Sequence, residues 1–223
     1  ALTNPAQLYR NIREPFFHGI TSQTPTETHD HPTLDYLHKT LVETSQSAEY
    51  IHSQSKIYAT KLEYPQNPFA NHLKLIAQLI NGGSATKVYY VSLSGFDTHA
   101  GQQGRQGRLL KQYSDAMATF CKDLQQNQRF QDVAILTFSE FGRRVAQNAS
   151  KEPIMDGKQC FLLGGALKRP GIFNPLPSLE DLDEGDLKFS VDFRQVYASV
   201  LQEWLEVDSR VVLGQGFEAL GVL

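Results

Sequence analysis

Along the chain, apolar positions alternate between a helical period and short continuous runs. From Leu34 to Tyr64 the apolar side chains Leu37, Leu41, Ala48, Ile51, Ile57 and Tyr58 recur at roughly helical spacing, and Phe69 to Ile80 repeats the pattern until Gly82-Gly83 stops it. Leu109 to Gln126 carries Leu110, Tyr113, Ala116, Met117, Phe120 and Leu124 on one stripe, and Phe193 to Leu205 carries Val196, Tyr197, Val200, Leu201 and Trp204 on another. Three segments have a different character. Lys87 to Leu93 is β-branched and aromatic, Val133 to Phe138 is continuously apolar, and Cys160 to Leu163 ends at Gly164-Gly165. These runs predict three parallel strands, neighbours in one sheet and buried on both faces. Residues 1–32, rich in Pro, Thr and His, show no sustained period and predict an irregular N-terminal arm, leaving 33–223 as the folded domain.

Composition narrows the function without naming it. The 223 residues are 40% hydrophobic and 20% charged, the balance of a soluble chain able to bury one core. A formal net charge of -3 leaves no broad basic footprint for nucleic-acid phosphates or anionic lipid. No run of about 18 apolar residues occurs, and Ala1 to Arg10 lacks the order of a signal peptide. Cys121 and Cys160 have no CxxC spacing and read as buried thiols.

Two loops carry residues suited to chemistry. In Gly95-Phe96-Asp97-Thr98-His99 a carboxylate and an imidazole stand two positions apart just past a strand, so both can reach one divalent metal; the same residues can equally cap a turn and satisfy backbone groups. In Ser139-Glu140-Phe141-Gly142-Arg143-Arg144 a carboxylate at a strand end is followed by two guanidiniums able to clamp sulfate or phosphate; Glu140 and Arg143 can equally form an ion pair that ties the loop down. Asp192 is suited to cap the last helix. His29 and His31 lack an obvious third ligand, and there is no Gly-rich phosphate loop and no Gly-x-Ser-x-Gly elbow.

The runs VYYVSLSGFDTHAGQ, LTFSEFGRRVAQNAS, FLLGGALKRPGIF and DFRQVYASVLQEWL, in this order, resemble the C-terminal half of the bacterial proteins called domain of unknown function 1501, grouped with the alkaline phosphatase and sulfatase superfamily. That resemblance covers roughly Leu34 to Leu223. It implies a doubly wound, mostly parallel α/β sheet with flanking helices, a metal-dependent hydrolase ancestry, and export to the periplasm or cell envelope, commonly by a twin-arginine signal in the full-length form. By position, Thr137 to Gly142 is similar to a superfamily strand ending in Ser-Asp-His-Gly, with Glu140 in place of the Asp and Phe141 in place of the His. After Asn148-Ala149-Ser150 the family's usual Gly-Thr-Asp-His-Gly is replaced by Lys151-Glu152-Pro153-Ile154-Met155-Asp156-Gly157. The resemblance also implies that the superfamily's first metal aspartate and nucleophile belong to an N-terminal half other than the part resembled here.

Two functions follow as expectations. The first is hydrolysis of sulfate or phosphate esters: Asp97, His99 and Glu140 hold Zn, Ca or Mn, Glu140 and Arg143 act in catalysis, and Arg143 and Arg144 bind the anionic substrate. The second is a non-catalytic relative that has lost the metal site and binds a glycan or a protein partner at the envelope.

Overall fold

Among the described residues four helices open on a proline, the residue whose fixed φ and missing N–H suit the first helical position. The computed structural model describes residues 5–22, 32–97, 102–139, 160–178, 180–183 and 186–223. It divides into two compact units, Ala1–Ser94 with Arg108–Asn127, and Gly95–Gly107 with Gln128–Leu223.

The first unit is helical. It contains α1 (Pro5–Ile12), α2 (Pro15–Thr21), α3 (Pro32–Gln54), α4 (Pro68–Asn81) and, from Arg108 onward, most of α5 (Gln102–Gln126). The stretch expected to be irregular thus holds α1 and α2, because its prolines start helices rather than break them. Both helices contact α3, where the Tyr9 ring stacks on His52 at 4.0 Å. Asn67 caps α4, its side chain accepting from Ala70 N at 2.8 Å, and also accepts from Gln112 Nε2 at 3.2 Å. Gly82 ends α4 where a Cβ would lie 2.8 Å from Gln78 O and 3.0 Å from Gln54 O, so the close approach to the end of α3 requires glycine there. Phe69, Leu73, Ala77, Ile80, Ala116, Met117, Phe120 and Leu124 lie in the core, on the two helical stripes read from the sequence, whereas Leu110 of the α5 stripe is exposed.

The second unit is built on short elements. After a 3-10 turn at Phe130–Asp132, β1 (Ala134–Phe138) pairs antiparallel with β2 (Cys160–Gly164), Leu136 opposite Leu162 and Phe138 opposite Cys160. A second small ladder joins β3 (Leu182–Asp183) to β4 (Asp186–Leu187). Next, α6 (Phe193–Ser199) runs into a π-helical turn at Val200–Trp204, and α7 (Ser209–Leu213) ends on Gly214 at φ 76°. Val222 and Leu223 are buried, and the Glu203 carboxylate accepts from the backbone N–H of Gly221 and Leu223 at 2.9 and 3.1 Å.

This architecture corrects the expected doubly wound, mostly parallel α/β sheet. Among the described residues the sheets are two antiparallel two-stranded ladders, and Lys87–Leu93 belongs to neither. Tyr89, Val91 and Leu93 are half-buried while Tyr90, Ser92 and Ser94 are exposed, so that segment keeps the period-two burial of a strand without a ladder. β-branched and aromatic content favours a pleated surface but selects neither partner nor direction. Antiparallel pairing also needs no helical crossover. Nor are the strands buried on both faces: Phe138, Phe161 and Leu163 are exposed, as is Cys160, which was expected to be a buried thiol.

Candidate functional site

Of the residues singled out from the sequence, Asp97 lies at the end of a described segment, whereas His99, Glu140, Arg143 and Arg144 lie outside the described residues, as do His29, His31 and Lys151 to Gly157. The turn into the first loop is local: Gly95 sits at φ 103°, a conformation side-chain-bearing residues rarely adopt, and redirects the chain after Ser94. Phe96 is half-buried beyond it and Asp97 is exposed. On the other side, β1 ends at Phe138 and Ser139 is exposed at the start of the second loop. Gly95–Gly107, which takes in the start of α5, is grouped with Gln128–Leu223. Asp97 and Ser139, the residue preceding Glu140, therefore belong to one unit. Among the described residues alone, no three His, Cys, Asp or Glu side chains lie close enough to hold a metal ion.

At the end of β1 stands an aromatic cluster whose members the sequence divides between elements, Phe138 in a strand run and Tyr197 on a helix stripe. The Phe138 and Phe193 rings meet Tyr197 edge to face, at centroid distances of 6.2 and 5.5 Å. Asp192 caps α6 as expected, in a reciprocal box in which its carboxylate accepts from Arg194 N at 2.9 Å and its own N–H donates to Gln195 Oε1 at 3.2 Å. The same carboxylate takes Arg194 Nε at 2.9 Å and Nη2 at 2.6 Å, and this pairing holds the Asp192 carboxyl below its ordinary range. The guanidinium lies 4.6 Å from the centre of the Phe217 ring.

Another polar group escaped the sequence reading. Asp123 is fully buried in the first unit, where Tyr58 Oη and Tyr64 Oη each donate to its carboxylate at 2.9 Å and Asn127 Nδ2 donates at 3.2 Å. Three donors compensate a carboxylate taken out of water. Burial first, then the Asp123 charge, push the Tyr64 phenol far above its ordinary value. A signal for this cluster was present: Asp123 follows Phe120 by three positions and Ala116 by seven, on the apolar stripe of α5, where a charged residue is out of place unless paired.

No helix among the described residues is long and apolar enough to cross a membrane. No curated protein and no solved structure matches the chain. One family model does, the one described as protein of unknown function (DUF1501), over residues 17–213. That match spans α3, α4 and α5, the Gly95 turn, β1, β2 and α6, and the chain belongs to the DUF1501 family.

Proposed function

We propose that this chain is a relative of metal-dependent hydrolases of sulfate or phosphate esters, with Asp97, His99 and Glu140 as cation ligands and Arg143 and Arg144 holding the anionic group. The observation that supports the reading is that Asp97 and Ser139, the described residues at the edges of the two chemistry-bearing loops, fall in the same unit. The donor set suits the group: two carboxylates and an imidazole match Zn or Mn, the carboxylates alone would serve Ca, and three protein ligands leave coordination positions open. When bound, such a cation would polarise the ester oxygen and stabilise the nucleophile. Arg143 would bind the anionic oxygens in a fork, Arg144 would add charge, and Glu140 would serve both as ligand and in proton transfer. The reading carries with it export to the periplasm or cell envelope.

A second reading has its own observation. Lys151 to Gly157 stands where the resembling proteins have an Asp-His pair, which favours a non-catalytic member that binds a glycan or protein partner. Turnover of 4-methylumbelliferyl phosphate and sulfate by the longest natural form of the protein separates the two. The hydrolase reading expects cation-dependent turnover whose kcat/KM falls about a hundredfold in Arg143→Gln, the loss typical of one transition-state donor. No turnover of either ester with any of the three cations overturns it in favour of binding.

A further inference from the structure

We propose that residues 220–223 are a strap that holds the turn Val200–Trp204 in its π-helical register, and that with the strap detached the turn relaxes to an α-helical one. The inference goes beyond the ester-hydrolase reading and uses none of its residues. Two backbone features here are locally unfavourable. Leu205 N donates to Val200 O at 3.0 Å, five positions back, a spacing found almost only as single turns inside α-helices. Leu201 O, the acceptor an α-helical Leu205 would use, is taken instead by Val207 N at 2.8 Å. Glu206, between these two donors, sits at φ 56°, a left-handed conformation suited to glycine. A backbone kept in two disfavoured conformations in succession needs surrounding contacts that hold it there.

The strap supplies such contacts. The Glu203 carboxylate, within the π turn, accepts from Gly221 N through one oxygen and from Leu223 N through the other, at 2.9 and 3.1 Å. Four positions earlier, the buried Ser199 hydroxyl accepts from Leu220 N at 2.8 Å while it donates to Gln195 O at 2.8 Å. Lys168 N donates to Val222 O at 3.1 Å, and Val222 and Leu223 are buried, so the strap is itself anchored. Moving Leu205 N from Val200 O to Leu201 O would turn the residues after it, α7 included, by about 100° relative to α6. Since α6 carries Tyr197 against Phe138, the two registers place α7 differently with respect to the end of β1. The turn is thus an element with two discrete arrangements, and the strap selects between them.

The test is amide hydrogen exchange together with NMR couplings across hydrogen bonds, both on the full chain. In the unaltered protein Leu205 N is expected to couple to the Val200 carbonyl, and the Leu205, Gly221 and Leu223 amides are expected to open as one unit, with protection factors agreeing within about threefold. In Glu203→Ala the Leu223 amide is expected to lose protection about tenfold or more, the Leu205 coupling to pass to the Leu201 carbonyl, and the emission of Trp204, the single tryptophan of the chain, to shift. Glu203→Gln, which keeps one acceptor oxygen but sets an amide donor against the other N–H, is the second variant should Glu203→Ala fail to fold. The proposal is overturned if Leu205 couples to Leu201 in the unaltered protein, or if its amide opens independently of Gly221 and Leu223. It is overturned equally by a folded variant that leaves Leu223 protected, or that frees Leu223 and retains the Val200 coupling.

Discussion

Replacing Asp123 by alanine should cost the first unit roughly 3–4 kcal/mol. The figure follows from what the substitution strands. Tyr64 is 4% exposed, and its hydroxyl, now 2.9 Å from Asp123, would be left buried with no acceptor, a loss of about 1–3 kcal/mol. Tyr58 is half-buried and loses less, since Asn127 still donates to its oxygen at 2.7 Å and water or the Thr60 hydroxyl can accept its proton. The cavity left by the carboxylate adds to both. Asp123→Asn keeps the shape and one acceptor oxygen, so it should cost only about 1–2 kcal/mol. Urea unfolding followed by far-UV circular dichroism and tyrosine emission measures the differences, and a double-mutant cycle with Tyr64→Phe isolates the pair. A cost for Asp123→Ala below about 1 kcal/mol, or no coupling to Tyr64, would refute the view that this carboxylate is held by its phenols.

The same phenol makes a pH prediction. Because the folded-state pKa of Tyr64 is raised above the ordinary 10.0, its contribution is fully present below pH 10 and is lost as pH rises beyond it, so alkaline melts should lose stability less in Tyr64→Phe. His52 works in the opposite direction. Burial first and then the Lys56 charge hold it below 6.5, so the unfolded chain takes up the proton first and acidification through 6.5 weakens the α1–α3 contact; an imidazole NMR midpoint at or above 6.5 would contradict this. Asn67→Ala should cost about 1–2 kcal/mol by removing the α4 cap and the acceptor for Gln112, while Asn67→Ser should recover part of it, both read from urea midpoints.

What could be read from residue order was local. The stripes on α4 and α5 were legible because a 3.6-residue period reports which side chains are buried, and Phe69, Ile80, Met117 and Phe120 are indeed in the core. The Asp192 cap was legible for the same reason: side chain and backbone partner lie within one turn. Pairing was not. Val133 to Phe138 and Cys160 to Leu163 were read as strands, but nothing in an apolar run distinguishes an antiparallel partner from a parallel one, and Lys87–Leu93 pairs with neither. The prolines of α1 and α2 misled because proline signals a break inside a helix and a start at its first position. At the candidate site, sequence pointed to Asp97 and its loop, whereas the Tyr58–Tyr64–Asp123 cluster depends on residues far apart in the chain.

Metal content decides most directly whether the two loops make a hydrolytic centre. The longest natural form, purified without chelators and analysed by inductively coupled plasma mass spectrometry, should carry close to one Zn, Mn or Ca per chain, and Asp97→Ala, His99→Ala and Glu140→Gln should each remove most of it while circular dichroism shows the fold intact. A chain that remains folded and metal-free after equilibration with each of the three cations, or one whose bound metal survives all three substitutions, would contradict the proposed site.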